Sequence, residues 1–238
     1  MALPKINDIP KFSVKVPSSG KTATFRPFLV KEQKVLLMAL ESQDSEQILQ
    51  SLIDTVESCL LTKINLKTLS TFDIEYLFLQ IRAKSVGEIS TIQIKCNACE
   101  EYNEVAVPLE QVQVNTADIK SNRIELTDKY TLKMRYPSYY NMDKSEGIYQ
   151  QFVDIDSMYN TMLLCLDEIL TEEEVIKFDS ETKESKVEFL DSLTPQQFDK
   201  ITEFLLSTPV LSHDIKFKCV NCGADNEHTL AGLNSFFS

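Results

Sequence analysis

Glycine, histidine and tryptophan are scarce in this sequence, and their scarcity removes several classes of catalytic site. The 238 residues include five glycines, two histidines and no tryptophan. The sequence has no glycine-rich loop of the kind that cradles phosphate groups. Two histidines leave little material for a nucleophile paired with a base, and no G-x-S-x-G elbow is present. We therefore expect a protein that is not an enzyme and that has no small-molecule substrate.

Long apolar runs are absent as well. Every apolar run is short and interrupted by charged residues, so the sequence predicts no transmembrane helix and no membrane partner. The first residues, MALPKINDIPKF, lack the continuous apolar core of a signal peptide. We therefore expect the chain to remain in a cytoplasm. Thiols stay reduced in that compartment, so the six cysteines do not predict three disulfides.

Basic residues are outnumbered by acidic ones. The chain has 24 Lys and Arg against 36 Asp and Glu, which gives a formal net charge of −12. Affinity for a phosphate backbone comes from Lys and Arg, so this balance predicts no nucleic-acid partner. Lys95, Lys216 and Lys218 are too few to form a basic patch. A basic protein partner fits the charge, and so does the simpler interpretation that the acidic side chains form a solvated surface.

The first third of the chain predicts a β-hairpin followed by three helices. Residues 11–16 and 21–26 alternate between apolar and polar side chains on either side of residues 17–20, which is typical of a hairpin. Ser70 and Asp73 have the spacing of a capping pair at the start of the third helix. That helix is apolar nearly all round, so we expect it to be buried. The predicted helices cover residues 30–41, 45–61 and 71–85.

The remainder of the chain predicts both strands and helices. Residues 174–190 fit either a charged hairpin or a helix. The final helix has the most specific start, because Thr194 can cap it, Pro195 suits its first turn and Gln197 completes a capping box. The predicted strands cover residues 89–95, 104–107, 122–126, 130–135 and 214–218, and the predicted helices cover residues 145–170 and 195–206.

A strand followed by C-x-x-C occurs twice. Residues 92–99 read IQIKCNAC and residues 215–222 read IKFKCVNC. Aligning the copies also matches Asn103 with Asn226 and Glu104 with Glu227. Two such turns that face each other supply four thiolates in a tetrahedron, which is the arrangement of a zinc ribbon. The repeat therefore predicts one structural Zn²⁺ ion, whose ligands are Cys96, Cys99, Cys219 and Cys222.

Other interpretations of these residues remain open at this stage. The four cysteines could be a metal-free remnant whose hairpins are packed by apolar contacts. A redox role is weakly indicated, because neither C-x-x-C opens a helix in a βαβ unit. His228 could replace one thiolate, although a single histidine is more often a surface or core residue. Cys59 and Cys165 lie on apolar helical segments and are expected to be buried.

These patterns together predict an α+β fold. An N-terminal lobe with a β-hairpin and helices is expected at residues 1–88, and a zinc-ribbon-like region at residues 89–238. In that region the segments 89–109 and 212–232 each carry one C-x-x-C knuckle. This pair of knuckles clamps a mixed α/β insert at residues 110–211. A four-thiolate site has no open coordination position, so the predicted metal holds structure and performs no chemistry.

Several segments of the N-terminal third resemble a known family. These are MALPKIN, FRPFLVKE at residues 25–32, LLMALES, TFDIEYLF at residues 71–78 and RAKSVGE at residues 82–88. As a set they are similar to the baseplate hub subunit and hub assembly protein family of T-even-type contractile-tailed bacteriophages. The C-x-x-C that follows also fits. The resemblance covers residues 1–110 closely and the remainder more loosely.

The resemblance implies a non-enzymatic component or assembly chaperone of the baseplate hub that acts by protein–protein contacts. Its partners are then other hub or tail proteins, with no nucleic acid, no membrane and no small-molecule substrate. Its location is the host cytoplasm during assembly, and the virion tail baseplate if it stays in the particle. One alternative is a zinc-ribbon nucleic-acid-binding or transcription-type adaptor, against which the charge of −12 speaks. Another is a metal-dependent enzyme, which needs an open metal position.

Two pairs of residues are candidates for binding a partner. Arg26 and Phe28 combine the residue types favoured at interfaces, although phenylalanines here could equally belong to the core beneath the first hairpin. Phe236 and Phe237 are adjacent at the end of the sequence, where exposure is costly unless something covers them. Docking onto the protein's own core is the alternative for this second pair.

Overall fold

A computed structural model describes residues 9–115, 120–141 and 155–237, and their contacts group into two compact units. Unit 1 comprises Met1–Asn115 and Val210–Ser238, and unit 2 comprises Thr116–Pro209. Grouping of contacts does not test which segments fold independently, so the lobe predicted at 1–88 and the region predicted at 89–238 remain predictions. None of the helices in the described ranges combines the length and apolar character that a membrane span requires.

The described residues form an α+β fold, as the sequence predicts. In chain order the strands are β1 (Phe12–Lys15), β2 (Thr22–Phe25), β3 (Ile89–Lys95), β4 (Tyr102–Pro108), β5 (Gln113–Asn115), β6 (Arg123–Glu125), β7 (Thr131–Met134), β8 (Leu166–Leu170), β9 (Val175–Lys177), β10 (Val210–Lys218) and β11 (Asp225–Ala231). The helices are α1 (Val30–Ser42), α2 (Ser45–Cys59), α3 (Thr71–Ser85), α4 (Ile155–Cys165), α5 (Lys183–Asp191) and α6 (Pro195–Leu206).

Unit 1 begins with the predicted hairpin and the three predicted helices. Strands β1 and β2 pair antiparallel, with Phe12 opposite Phe25. Helix α2 starts at Asp44, whose carboxylate accepts hydrogen bonds from the backbone N–H groups of Glu46 and Gln47. Such an N-cap satisfies donors that the first helical turn leaves without partners. The apolar stripe of α2 is buried, which is what its helical spacing predicts.

Helix α3 lies at the centre of unit 1, and a buried carboxylate fixes its start. Asp73 Oδ2 accepts the Ser70 N–H at 3.0 Å, and Asp73 Oδ1 accepts the Ser18 N–H at 2.9 Å. One side chain thereby caps α3 and anchors the turn between β1 and β2. The predicted capping pair is confirmed, and so is the predicted burial of the helix, since its apolar side chains on several sides are inaccessible to solvent, namely Phe72, Ile74, Leu77, Leu79 and Ile81.

Two further hairpins of unit 1 carry the repeated sequence. Strands β3 and β4 form one antiparallel hairpin, and β10 and β11 form the other. Strand β5 adds to the free edge of β10 and was not predicted. Buried and exposed residues alternate along β3, β4 and β11. This period of two directs one face of each hairpin to the core and leaves the other face in solvent.

In its described residues, 120–141 and 155–209, unit 2 has a four-stranded antiparallel sheet and three helices. Its strand order is β6-β7-β8-β9. The pairing of β6 with β7 confirms the hairpin predicted at 122–126 and 130–135. Helix α6 confirms the predicted capping box, in which the Thr194 side chain accepts the Gln197 N–H. Side chains from the sheet and the helices form one core, which includes Ile124, Leu132, Met134, Met162, Leu166, Ile201 and Phe204.

The helix predicted at 145–170 is wrong over its last part. Residues 145–154 lie outside the described residues, and α4 ends at Cys165. Residues 166–170 form β8 instead, which pairs with β7 on one side and with β9 on the other. The apolar side chains of this segment fit a helical stripe equally well, so periodicity alone could not separate the two states. Pairing with the distant strand β7 and with the neighbouring strand β9 makes this segment a strand.

The segment 174–190, for which the sequence left a hairpin and a helix open, contains one strand and one helix. It forms no hairpin of its own, because β9 pairs with β8 outside the segment. Residues of β9 form the edge of the sheet, and α5 follows after a short 3-10 turn. Thr182 begins the helix, because its hydroxyl oxygen accepts the Ser185 N–H at 3.2 Å. Helix α5 packs on the core of unit 2 through the buried Leu190 and the partly buried Val187 and Phe189.

Candidate metal centre

The turns of the two repeated hairpins bring four cysteines together in unit 1. Cys96 and Cys99 follow β3, and Cys219 and Cys222 follow β10. Their four sulfur atoms all lie within 4.8 Å of one another. The closest pairs join the two turns: Cys96 Sγ lies 3.7 Å from Cys222 Sγ, and Cys99 Sγ lies 3.6 Å from Cys219 Sγ. The predicted zinc-ribbon-like arrangement of the fold is confirmed.

The spacing of the sulfurs fits a tetrahedral metal site. A tetrahedron with metal–sulfur bonds of about 2.3 Å has sulfur atoms about 3.8 Å apart, close to the distances across the two turns. The two residues between the cysteines of each turn allow both sulfurs to face one point. Four thiolates would complete the coordination of one ion and leave no position for water or substrate. The cluster can therefore bind one metal ion, in a site that suits structure rather than catalysis.

Backbone amides prepare two of the sulfurs to act as thiolates. The N–H groups of Ala98 and Cys99 and the side-chain amide of Asn226 lower the pKa of Cys96 to about 6. The Ala98 nitrogen lies 3.4 Å from Cys96 Sγ. In the second turn, the N–H of Cys222 is the largest influence that lowers the pKa of Cys219. Hydrogen bonds to a thiolate favour the charged form, which is the form that binds a metal.

The pKa of Cys222 is shifted in the opposite direction. The Ala224 N–H favours its thiolate, but the neighbouring sulfurs, above all that of Cys99, raise the pKa of Cys222 to about 12. Negative charge on some sulfurs of the cluster thus opposes ionisation of the others. A cation at the centre removes this conflict, because coordination deprotonates a thiol outright. One metal cation at this point would be compatible with the charges of the four sulfurs.

The two turns have the same backbone conformation despite different residues at one position. Glu100 has φ 61° and Gly223 has φ 74°, and both values are left-handed. The Glu100 N–H donates to the Cys96 carbonyl, and the Gly223 N–H donates to the Cys219 carbonyl, each at 3.0 Å. Glycine adopts this conformation freely, whereas a residue with a Cβ atom is strained by about 1–2 kcal/mol. The first turn thus forms without the help of a glycine.

Replacing Glu100 with glycine should increase the free energy of unfolding by up to about 1 kcal/mol. Relief of the left-handed strain is partly offset by the greater freedom of glycine in the unfolded chain. Gly223→Ala is the matched change in the second turn and should destabilise the protein, although the space around Gly223 accommodates a Cβ atom. Urea denaturation at a fixed metal concentration measures both. A gain from Glu100→Ala as large as that from Glu100→Gly would show that charge, and not φ, is responsible.

Two asparagines of this site were aligned by the repeat but received no role from the sequence. Asn103 and Asn226 are buried beside the turns, on β4 and β11. Each accepts a hydrogen bond from the backbone of the opposite turn. The sequence did contain a sign of their importance, because the aligned copies have an asparagine at the same position. Equivalent residues in two copies suggest a shared function. The chemistry of that function becomes visible only when the two hairpins face each other.

Arg26 and Phe28, predicted to bind a partner, lie at the junction between β2 and α1. Arg26 Nη2 donates to Glu32 Oε1 at 2.8 Å and to the Ser58 carbonyl at 3.0 Å, so its charge is engaged within the chain. Phe28 is half-buried, and its N–H donates to Ser85 Oγ. Their role in binding a partner stays a prediction, since a single chain does not test it.

Phe236 and Phe237 occupy different environments. Phe236 is fully buried in unit 1, and its carbonyl accepts a hydrogen bond from Ser90 Oγ at 2.7 Å. Phe237 remains 39% exposed, with the Arg82 guanidinium carbon 4.8 Å from its ring centre. The last turn of the chain therefore packs on its own core through Phe236, which was the alternative considered for this pair. A contact of either residue with a partner stays a prediction.

The remaining cysteines and His228 lie outside the cluster. Cys59 and Cys165 are fully buried, as predicted. Burial raises the pKa of Cys59 to about 11 and that of Cys165 to about 12, so neither thiol is reactive at neutral pH. His228 stacks on Phe217, with ring centres 5.8 Å apart. Among the described residues, the group that can hold a metal is made of the four predicted cysteines and does not include this histidine.

Comparison with known proteins relates this chain to a family of phage proteins. The family model described as T4 bacteriophage base plate protein matches residues 9–238, which include both C-x-x-C turns. No protein of curated function and no solved structure matches the chain. A match of this extent indicates a structural protein of the phage tail, whose partners are other tail or baseplate proteins. The chain belongs to the T4 bacteriophage base plate protein family.

Proposed function

We propose that the protein works in the hub of the phage baseplate, as a structural component or as an assembly chaperone, by protein–protein contacts and without catalysis. Membership of the base plate family supports a role in the assembly. The cluster of four cysteines supports a structural use of the metal, because four thiolates leave no coordination position for a substrate. The observation that carries the proposal is an exposed apolar face on helix α1.

The metal in this proposal is one structural Zn²⁺ ion held by Cys96, Cys99, Cys219 and Cys222. Thiolates are soft ligands, and a tetrahedral set of four is typical of zinc or of iron–sulfur chemistry. The sulfur spacing agrees with a single ion that has metal–sulfur bonds of about 2.3 Å. Zinc would join two hairpins that are far apart in sequence and would stiffen unit 1 for contact with other proteins.

Helix α1 buries little of its apolar surface within unit 1. Its buried residues are Glu32 and Ala39, on the side that packs against α2. On the other side runs the α1 stripe, which we define as the apolar residues Val30, Leu37 and Leu40 together with the polar Gln33 between them. All four are exposed to solvent. Their spacing of three, four and three residues lines one face of a helix and is the pattern that packs against a second helix. Apolar faces of this kind typically mark an interaction site.

The proposed occupant of the α1 stripe is a basic tail or baseplate protein, and not a second copy of this chain. Each copy carries a formal charge of −12, so two copies repel each other, whereas a basic partner is attracted to the chain. Attraction between opposite net charges speeds association, whereas the contact itself is made by the apolar side chains of α1. Metal-loaded chain should therefore remain monomeric in analytical ultracentrifugation. Self-association that Leu37→Glu abolishes would overturn the choice of occupant.

Phage particles that carry variants of α1 test the proposal. Leu37→Glu should reduce the yield of infectious particles about tenfold or more, because it places a charge in the apolar contact, and tenfold corresponds to a loss of about 1.4 kcal/mol in binding. Val35→Glu is the matched control. Val35 is 51% exposed and Leu37 is 53% exposed, but the two side chains point to nearly opposite sides of the helix. Equal yields from both variants would contradict a role for the stripe.

Quantitative peptide mass spectrometry then separates the two roles in the hub. A fixed small number of copies per wild-type particle identifies a structural component. Abundance in infected cells with none in particles identifies an assembly chaperone that leaves. A salt-dependent shift of DNA or RNA by the purified chain, with no change in particle yield for any variant of the stripe, would contradict the proposal and favour the nucleic-acid-binding adaptor.

A further inference from the structure

Two buried side chains, Asn103 and Asn226, connect the two cysteine turns through their backbones, and Asn226 Nδ2 also donates to Cys96 Sγ at 3.5 Å. We call residues 96–99 the first knuckle and residues 219–222 the second knuckle. Asn226 Oδ1 accepts the N–H of Asn97 in the first knuckle at 2.8 Å. Asn103 Oδ1 accepts the N–H of Val220 in the second knuckle at 2.9 Å. The two hydrogen bonds are reciprocal, since each hairpin supplies one asparagine and one backbone donor.

Each asparagine is also held by its own hairpin. Asn103 Nδ2 donates to the Glu101 carbonyl at 2.9 Å, and Asn226 Nδ2 donates to the Ala224 carbonyl at 3.0 Å. These bonds orient the two amides, because the nitrogen meets a carbonyl while the oxygen meets an N–H group. Asn103 is 3% exposed and Asn226 is 5% exposed. Buried hydrogen bonds with both ends fixed are the kind that specify one arrangement of the chain.

The symmetry of these contacts follows the repeat. Asn103 and Asn226 occupy equivalent positions in the two copies, and so do their donors, Asn97 and Val220. Since the four cysteines obey the same symmetry, the asparagines act on the same geometry as the metal would. Loss of an asparagine side chain would remove the acceptor of one backbone N–H in the opposite knuckle and open that N–H to water.

We propose that Asn103 and Asn226 hold the two knuckles face to face before a metal binds, so that the ion enters a preformed site of four sulfurs. Both are positioning residues, because they act through the knuckle backbones that carry the ligands. Asn226 also donates to Cys96 Sγ, so the zinc affinity of Asn103→Ala is the cleaner test of positioning through the backbone. This inference rests on the proposed zinc site and goes beyond the role in the baseplate. In many small zinc domains the metal must fold the chain that binds it. Here the hairpins pair first, and metal binding does not need to supply that energy.

Residue-resolved hydrogen exchange on the full chain, stripped of metal by a chelator under reducing conditions, tests the pairing. In the wild-type chain the amides of Asn97 and Val220 should be protected. Asn226→Ala should remove protection of Asn97 and leave that of Val220. Asn103→Ala should do the reverse. This crossed pattern is specific, because general destabilisation would expose both amides in both variants.

The matched control is Asn97→Ala, in the first knuckle itself. It removes an exposed asparagine side chain but keeps the backbone N–H that donates to Asn226. Both amides should stay protected in this variant. Zinc affinity, measured by competition with a chromophoric chelator, should fall about 10–100-fold in Asn103→Ala and in Asn226→Ala. The control should bind zinc as the wild type does.

Several results would overturn the inference. If Asn97 and Val220 exchange at unprotected rates in the metal-free wild-type chain, the metal alone brings the knuckles together, and this measurement needs no variant to fold. If the crossed pattern appears but zinc affinity is unchanged, the asparagines do not position the ligands. A wild-type chain that binds no zinc overturns the zinc assignment itself, whereas the exchange pattern tests the pairing separately.

Discussion

Cys96→Ser should release the metal and lower the free energy of unfolding by about 4 kcal/mol or more. Serine preserves the size of the side chain, but its hydroxyl is a poor ligand at neutral pH because it stays protonated. A ligand present at a thousand times its dissociation constant stabilises the folded state by about 4 kcal/mol, and structural zinc is usually bound more tightly. Cys219→Ser should have the same effect, since the two residues are equivalent in the repeat. Elemental analysis and thermal denaturation measure the two consequences.

The size of the stability loss in Cys96→Ser distinguishes a metal ion that holds the two hairpins together, which we call the clamp, from a metal-free remnant of such a site. For a protein of this length, about 4 kcal/mol corresponds to a decrease in Tm of about 8–16 °C. Val220→Ala, between the cysteines of the second knuckle, is the control. Its side chain is 87% exposed, so its loss should change neither metal content nor Tm. A chelator should lower the Tm of the wild type and leave that of Cys96→Ser unchanged. Equal metal content and equal Tm in Cys96→Ser and wild type would exclude the clamp.

Arg26→Met should lower the free energy of unfolding by about 3 kcal/mol. The side chains of Arg26 and Glu32 are only 14% and 7% exposed, and their atoms Nη2 and Oε1 are 2.8 Å apart. Removing one member of a buried pair leaves the other charge without compensation, which typically costs about 3–5 kcal/mol. The lower end applies here because Lys31 Nζ also lies 3.3 Å from Glu32 Oε1. Urea denaturation at neutral pH measures the loss.

Two other variants isolate the buried pair. Lys31→Met removes a cation that contacts the same carboxylate but is 72% exposed, and it should cost less than about 0.5 kcal/mol. Combining Arg26→Met with Glu32→Gln removes both charges and should recover most of the stability, because glutamine can still accept the Leu29 N–H that Glu32 accepts. If Arg26→Met alone is as stable as the wild type, its guanidinium is dispensable within the chain and available to a partner.

The pH dependence of the Arg26→Met effect has a definite sign. Burial alone would raise the pKa of Glu32, but the hydrogen bonds from Arg26 and from the Leu29 N–H hold it below its ordinary value of 4.5. A carboxyl whose pKa is lowered by folding contributes stability that is complete above its unfolded pKa and is lost as the pH falls through its folded pKa. The difference between wild type and Arg26→Met should therefore be constant near neutral pH and shrink below about pH 4.5.

The ligands of the metal site were accessible from the sequence because the signal was local and repeated. A strand that leads into C-x-x-C appears in both copies, and the four cysteines of those copies are the residues whose sulfurs cluster. Helix α3 was accessible for a similar reason, since its capping pair and its apolar residues all lie within one short segment. The strand β8 was not, because its apolar spacing suits a helix and one of its two strand partners, β7, is distant in sequence.

Two further features could not be predicted from the sequence, for a different reason. They are the exposed face of α1 and the buried asparagines beside the knuckles. An apolar stripe predicts a buried helix face, and nothing in the residues of α1 reveals that unit 1 covers only the side of Glu32 and Ala39. An asparagine in a strand is usually taken for a solvent-exposed residue. Asn103 and Asn226 are buried because each finds a backbone donor on the opposite knuckle, and that donor exists only once both hairpins are in place.

The sequence by itself determined the class of the fold, the elements that carry the repeat, the four cysteines and the resemblance to a phage baseplate family. These properties depend on composition, on short periodic patterns and on fixed spacings along the chain, all of which are local. Only the tertiary structure decided which apolar faces are covered, which charges are paired and which polar side chains cross between hairpins. Several of these contacts join residues more than a hundred positions apart, and the energies of all of them depend on burial and distance, which no local pattern contains.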